Sequence, residues 1–120
     1  MVRGIFLFFL VLAIGHAVPC VAGSRTVLAS YYGQGLEGNL MANGQRFRAK
    51  DPTTAAHKTL PMGTRLLVKN KEKNRKLIVV VKDRGPFRKG RSLDLSYAAA
   101  KRLGYVSRGV ARLEVSIISD

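Results

Sequence analysis

The stretch Val79-Val80-Val81-Lys82-Asp83-Arg84-Gly85-Pro86-Phe87 runs an apolar strand straight into a carboxylate, then an arginine, then a Gly-Pro turn. The continuous apolar run from Lys76 to Val81 predicts a central strand buried on both faces. Eleven residues after Asp83, Ser92-Leu93-Asp94-Leu95-Ser96 repeats the idea, with an acid between leucines. The chain has seven acidic residues against 21 lysines and arginines. Acids this scarce, set at the ends of apolar strands, serve acid chemistry or buried structural hydrogen bonds.

Outward from that stretch the chain reads as short strands and turns. Thr26 to Tyr32 is β-rich and stops at Gly33; Gly33 to Gly44 is a glycine-rich loop. Thr53 to His57 is a short strand or turn, and Leu60-Pro61-Met62-Gly63 is a tight turn. Thr64 to Lys69 alternates as a strand, and the charged turn Asn70 to Arg75 makes a hairpin with the valine run. Ser96 is placed to cap a helix from Tyr97 to Leu103, which Gly104 closes. Ala111, Leu113, Val115 and Ile117 alternate as a strand with one buried face. Five or six short strands and one helix predict a mainly β domain, a small β-barrel.

The N-terminus reads as a cleaved secretory signal. Arg3 precedes an apolar core from Ile5 to Ile14, too short to span a membrane, and small residues follow at Ala17, Ala22 and Gly23. The expected division is a signal peptide over 1–23 and one folded domain over 24–120. The protein is then exported, to the periplasm or cell envelope. A lipid-anchored outer-membrane form through Cys20, the only cysteine, is the less favoured alternative because Pro19 precedes it. The 97 residues that remain carry about +13 of the +14 net charge. That charge attracts anionic envelope polymers. The export signal and the scattered cations argue against nucleic acid as a partner. His57 has no second histidine or cysteine in the folded part, so neither a metal nor another cofactor is expected. A monomer is the default for a domain of this size.

Several separated motifs carry a family resemblance. They are Ala29-Ser30-Tyr31-Tyr32-Gly33, Ala42-Asn43-Gly44-Gln45-Arg46-Phe47, Thr54-Ala55-Ala56-His57 running to Thr64, Asp83-Arg84-Gly85-Pro86-Phe87, Leu93-Asp94-Leu95-Ser96 and Gly109-Val110-Ala111. In order and rough spacing they resemble the rare lipoprotein A (RlpA) family over residues 26 to 118. The resemblance implies a six-stranded double-psi β-barrel, a fold similar to those of expansins, barwin-like proteins and family 45 glycoside hydrolases. It also implies endolytic lytic transglycosylase activity on peptidoglycan glycan strands free of stem peptides. Such an enzyme cleaves the β-1,4 bond between N-acetylmuramic acid and N-acetylglucosamine and leaves a 1,6-anhydro end. A non-catalytic glycan-binding module of expansin or barwin type is the alternative.

By that resemblance Asp83 is the general acid and base, His57 its hydrogen-bond partner or proton shuttle, and Asp94 a substrate contact or electrostatic support. One carboxyl can protonate the leaving oxygen and then assist the sugar's own 6-hydroxyl, provided it starts protonated. Tyr31, Tyr32, Gln45 and Arg84 are the expected substrate-binding residues. Alternation sends one of the two tyrosines inward, with Tyr32 read as that one. Gln45 stands where the family usually has a glutamate. It can hydrogen-bond but cannot exchange a proton at useful pH, a feature that favours the binding-module alternative.

Overall fold

The computed structural model describes residues 20–21 and 23–119. The expected signal peptide lies outside them, apart from Cys20–Val21 and Gly23. In chain order the elements are β1 (Cys20–Val21), β2 (Arg25–Tyr31), β3 (Thr54–Ala56), β4 (Arg65–Asn70), β5 (Arg75–Asp83), β6 (Leu93–Leu95), α1 (Tyr97–Leu103) and β7 (Ala111–Ser119). The neighbour order is β1-β7-β2-β6-β3-β5-β4, and β4 pairs back onto β7. Strands β2 to β7 therefore close into a six-stranded barrel, with β1 added at the end of β7. Two pairs are parallel, β2 with β6 and β3 with β5, while β3 and β6 run antiparallel between them. Parallel neighbours need long crossovers. Here these are the segments over 32–53 and 84–92, each leaving one parallel pair and returning to the other. This is the double-psi β-barrel.

The barrel interior is filled by Ala29, Ala55, Leu66, Val68, Val79, Val81, Leu93, Leu95 and Leu113. The valine run is not buried on both faces. Val79 and Val81 are fully buried, whereas Ile78 is 45% exposed. In a closed barrel only alternate residues can face inward, so an unbroken apolar run still shows one face to solvent. On β7 the alternation holds through Leu113, and Ile117 ends 37% exposed on an open pocket.

Helix α1 forms as the local sequence dictates. The Ser96 hydroxyl accepts from the Ala99 amide, and Gly104, at φ 85°, takes the left-handed position that ends the helix. Its inner face, Ala99, Ala100 and Leu103, closes one side of the core. The buried Asn70 amide donates to the Leu103 carbonyl (2.8 Å), tying the end of β4 to the helix C-terminus.

Asp51 anchors the approach to β3. It accepts from the Thr53 amide (2.9 Å), the Thr53 hydroxyl (2.6 Å) and the Lys82 ammonium (3.0 Å). Burial alone would push this carboxyl up. The Thr53 bonds and Lys82 reverse that and hold it at about 2, against an ordinary 3.8. A depressed folded pKa adds stability that is present above the unfolded value and is lost as pH falls through the folded one. Asp51→Asn is expected to cost on the order of 1–2 kcal/mol at pH 7 after solvent screening. Thermal melts at pH 7 and near pH 2 check this, and the gap between variant and wild type should close in acid.

Candidate functional site

The barrel sets two carboxylates in one transverse row. Register pairs Ser30 with Asp94, Asp94 with Ala56, and Ala56 with Asp83. The row crosses β2, β6, β3 and β5 in that order, so one strand separates the acids. Adjacent strands lie about 4.8 Å apart, and the position between the acids in the register is Ala56.

Asp83 is anchored from three directions. Its Oδ1 accepts from the amides of Ala42 and Arg84, each at 2.9 Å, and its Oδ2 accepts from the Tyr32 hydroxyl at 2.9 Å. A carboxylate oxygen has two acceptor positions. Oδ1 is therefore full, and Oδ2 keeps one position, the only place on Asp83 for an exchangeable proton. Burial, then the hydrogen bond to Asp83 and the charges of Asp83 and Asp94, push the Tyr32 hydroxyl far above its ordinary value, so it remains a donor. Asp94 has a different setting. Its Oδ1 accepts from the Ser30 hydroxyl (3.0 Å). Burial raises its pKa most; the Ser30 bond and Arg91 oppose this, and the charge of Asp83 adds to the rise.

Both acids line a cleft of about 470 Å³ with Ser30, Tyr32, Arg84, Phe87, Arg88 and Arg91. Tyr31 and Tyr32 line it too, from opposite sides of the chain. Tyr31 packs against the main core, edge-on to Tyr97 and Tyr105, and donates to the Val106 carbonyl (2.9 Å). Tyr32 is the more buried at 8%, yet it belongs to a second cluster on the cleft side, stacked on Phe47 at 4.2 Å with Met41 and Ala56. The alternation along β2 was legible; that a covering loop would bury the outward tyrosine was not.

His57 is not among the residues lining this cleft. Its amide donates to the Asp83 carbonyl (3.1 Å), and the residue lines a second pocket with Leu60, Leu66, Leu93 and Ile117. Its Nδ1 accepts from the amides of Thr59 and Leu60, each at 3.1 Å. Burial first, then Arg84 and Lys58, lower its pKa, so the neutral ring carries its proton on Nε2. The turn built this way presents two carbonyls, of His57 and Leu60, that accept from Arg84 Nη1 at 3.1 and 2.6 Å. Among the described residues no hydrogen bond joins the ring to Asp83. His57→Asn keeps a side-chain acceptor for the turn, whereas His57→Ala does not. The Asn variant is expected to retain several-fold more glycan-cleaving activity than the Ala variant, and comparison of their initial rates checks it.

Gln45 is exposed, and its Oε1 accepts from Asn43 Nδ2 (3.1 Å). It does not line the cleft; its loop reaches the site through Ala42. Sequence reasoning missed Ser30 and Ala42. Ser30 sits inside a quoted motif, but only the β2–β6 register gives it a partner.

The fold and site define a double-psi barrel that carries two aspartates in one cleft with arginines and aromatic rings. Residues 24–115 match the family model described as lytic transglycolase, and the chain belongs to that family. It is 46% identical over 91 residues to the endolytic peptidoglycan transglycosylase RlpA of Haemophilus influenzae, covering 76% of this chain and 31% of that protein. It is 47% identical over 87 residues to the RlpA of Pseudomonas aeruginosa, covering 72% of this chain and 25% of that protein. The chain thus spans about a third or less of the length of these two relatives. The RlpA resemblance carried by the motifs holds. Two solved structures share the fold, each with a TM-score of 0.64 and 23% identity: the Streptomyces papain inhibitor, matched over 83% of this chain and 97% of its own, and apo-expansin from Clavibacter michiganensis, matched over 82% and 52%.

Proposed function

We propose that this protein is an endolytic lytic transglycosylase of the cell envelope, acting on the N-acetylmuramic acid–N-acetylglucosamine bond of peptide-free glycan strands. The observation that carries this reading is the pair Asp94 and Asp83, set one strand apart by the register and lining one open cleft. The two acids differ in setting, and environments that separate two carboxyls divide acid from base.

Asp94, whose pKa burial raises, acts from its protonated form. It gives its proton to the glycosidic oxygen as the bond from that oxygen to C1 of the muramic acid breaks. Asp83, whose Oδ2 keeps one open acceptor position, takes the proton from the sugar's 6-hydroxyl as O6 bonds to C1. The product is the 1,6-anhydro ring. Water is not consumed, and the protons balance when Asp83 passes its proton back to Asp94. Tyr32 holds Asp83 in place, and the turn of His57 holds Arg84. Both tyrosines and Arg84 face the strand.

The test incubates purified protein with peptide-free glycan strands and reads products by mass spectrometry. Anhydro-muramic ends are the expected result. Strand binding with no new ends at any pH would instead assign a binding module of the expansin kind, the reading that the position of Gln45 favours.

A further inference from the structure

The crossover over 84–92 delivers Arg84, Pro86, Phe87, Arg88 and Arg91 to the cleft. Arg84 is committed to the carbonyls of His57 and Leu60. Arg88 and Arg91 are not committed; among the described residues their guanidinium groups make no hydrogen bond and no ion pair. Arg91 is half-buried, close enough to Asp94 for its charge to be felt there, yet not bonded to it. The Arg91 amide donates to the Arg88 carbonyl (3.2 Å), so both cations sit on one turn. Phe87 is 82% exposed, the most exposed large apolar side chain described. Its ring lies beside Gly85, which takes a φ of 122°.

This arrangement has a physical cost without a ligand. A half-buried guanidinium gives up part of its hydration and gains no partner. A cleft with two acids would also repel an anionic polymer unless cations offset them. Three arginines line it alongside two aspartates. A planar fork of donors matches a carboxylate. An exposed aromatic ring matches the apolar face of a pyranose.

We propose that Arg88 and Arg91 bind the free lactyl carboxylate of a muramic acid unit while Phe87 stacks on a sugar of the same strand. The inference rests on the glycan reading above and names its specificity element. A stem peptide joined to the lactyl group turns that carboxylate into an amide, which removes the charge at the contact point. The crossover loop thereby distinguishes bare strands from substituted ones at the first atom of the peptide.

The experiment measures binding by calorimetry, with Asp83→Asn as a non-cleaving background in the full chain. One set of peptide-free strands has free lactyl carboxylates; a second set is chemically converted to the N-methylamide. The amide strands are expected to bind about tenfold more weakly or worse, a difference of the size lost with one charge-assisted contact. Adding Arg88→Gln and Arg91→Gln should abolish the difference between the two sets. A control pair at the remote hairpin, Lys73→Gln with Lys76→Gln, should preserve most of the ratio, because distant charges are screened by salt. The proposal is overturned if the background protein binds both sets equally, if the ratio survives loss of both arginines, or if the hairpin pair abolishes it. Discrimination in binding, with no anhydro ends from wild type, would sink the cleavage reading and leave this one standing. Cleavage without discrimination would do the reverse.

Discussion

Asp83→Asn is expected to lower the rate of anhydro-end formation by about 10²- to 10⁴-fold, the usual weight of a positioned acid–base group, while leaving the fold intact. The amide is nearly isosteric. Its oxygen can still accept from the amides of Ala42 and Arg84, which now bond Oδ1. Its NH₂ meets Tyr32, whose hydroxyl turns from donor to acceptor. What is lost is the one position on Oδ2 that can take up a proton. Asp83→Ala should differ in kind. It frees the loop that holds Ala42 and removes the acceptor of the part-buried Arg84 amide and Tyr32 hydroxyl, with about 1–3 kcal/mol at stake for a buried group left unsatisfied. Melting curves of both variants separate the roles. An Asn variant with wild-type rates would remove Asp83 from the chemistry.

The second expected result concerns Asp94→Asn, which should lose activity by about 10²-fold or more and gain stability at neutral pH. Native Asp94 binds its proton more tightly than the unfolded chain does, because burial, and then the charge of Asp83, penalise the ionised form. The stability linked to such a group is present at low pH and is lost as pH rises from the unfolded pKa through the raised folded one. At pH 7 the ionised carboxylate is therefore a burden on the native state. Asparagine removes that burden and still accepts the Ser30 hydroxyl. Its Tm should exceed that of wild type at pH 7 and converge with it at pH 3. The wild-type rate should also fall as pH rises through the Asp94 pKa, where the donor form disappears. A variant that melts lower than wild type by the same margin at both pH values would make Asp94 a structural residue.

Much of the scaffold was legible because its causes are local. Ser96, three alanines and Gly104 specify the one helix by capping and propensity, and α1 has the bounds they set. The strand bounds differ by one or two residues, since fraying at strand ends depends on partners the local sequence does not name. The valine run reads as buried on both faces because a window of sequence cannot distinguish a flat central strand from a barrel wall. Closure leaves Ile78 outside. The site was legible as a set of residues and not as an arrangement. Tyr32 and Ala42 reach Asp83 from 51 and 41 positions away, and Ser30 reaches Asp94 from 64.

Sequence alone determined the strand-rich class, the position of the helix, the scarcity of acids and the motifs that fixed family and suspected residues, because each follows from neighbouring side chains or from composition. Tertiary structure decided the rest. Inserting β3 between β5 and β6 set Ala56 between the two aspartates in the register, the covering loop buried Tyr32, and the parallel crossover brought Arg88 and Arg91 to the same cleft. Those are consequences of which strands pair, and pairing is settled by the whole barrel closing on its core.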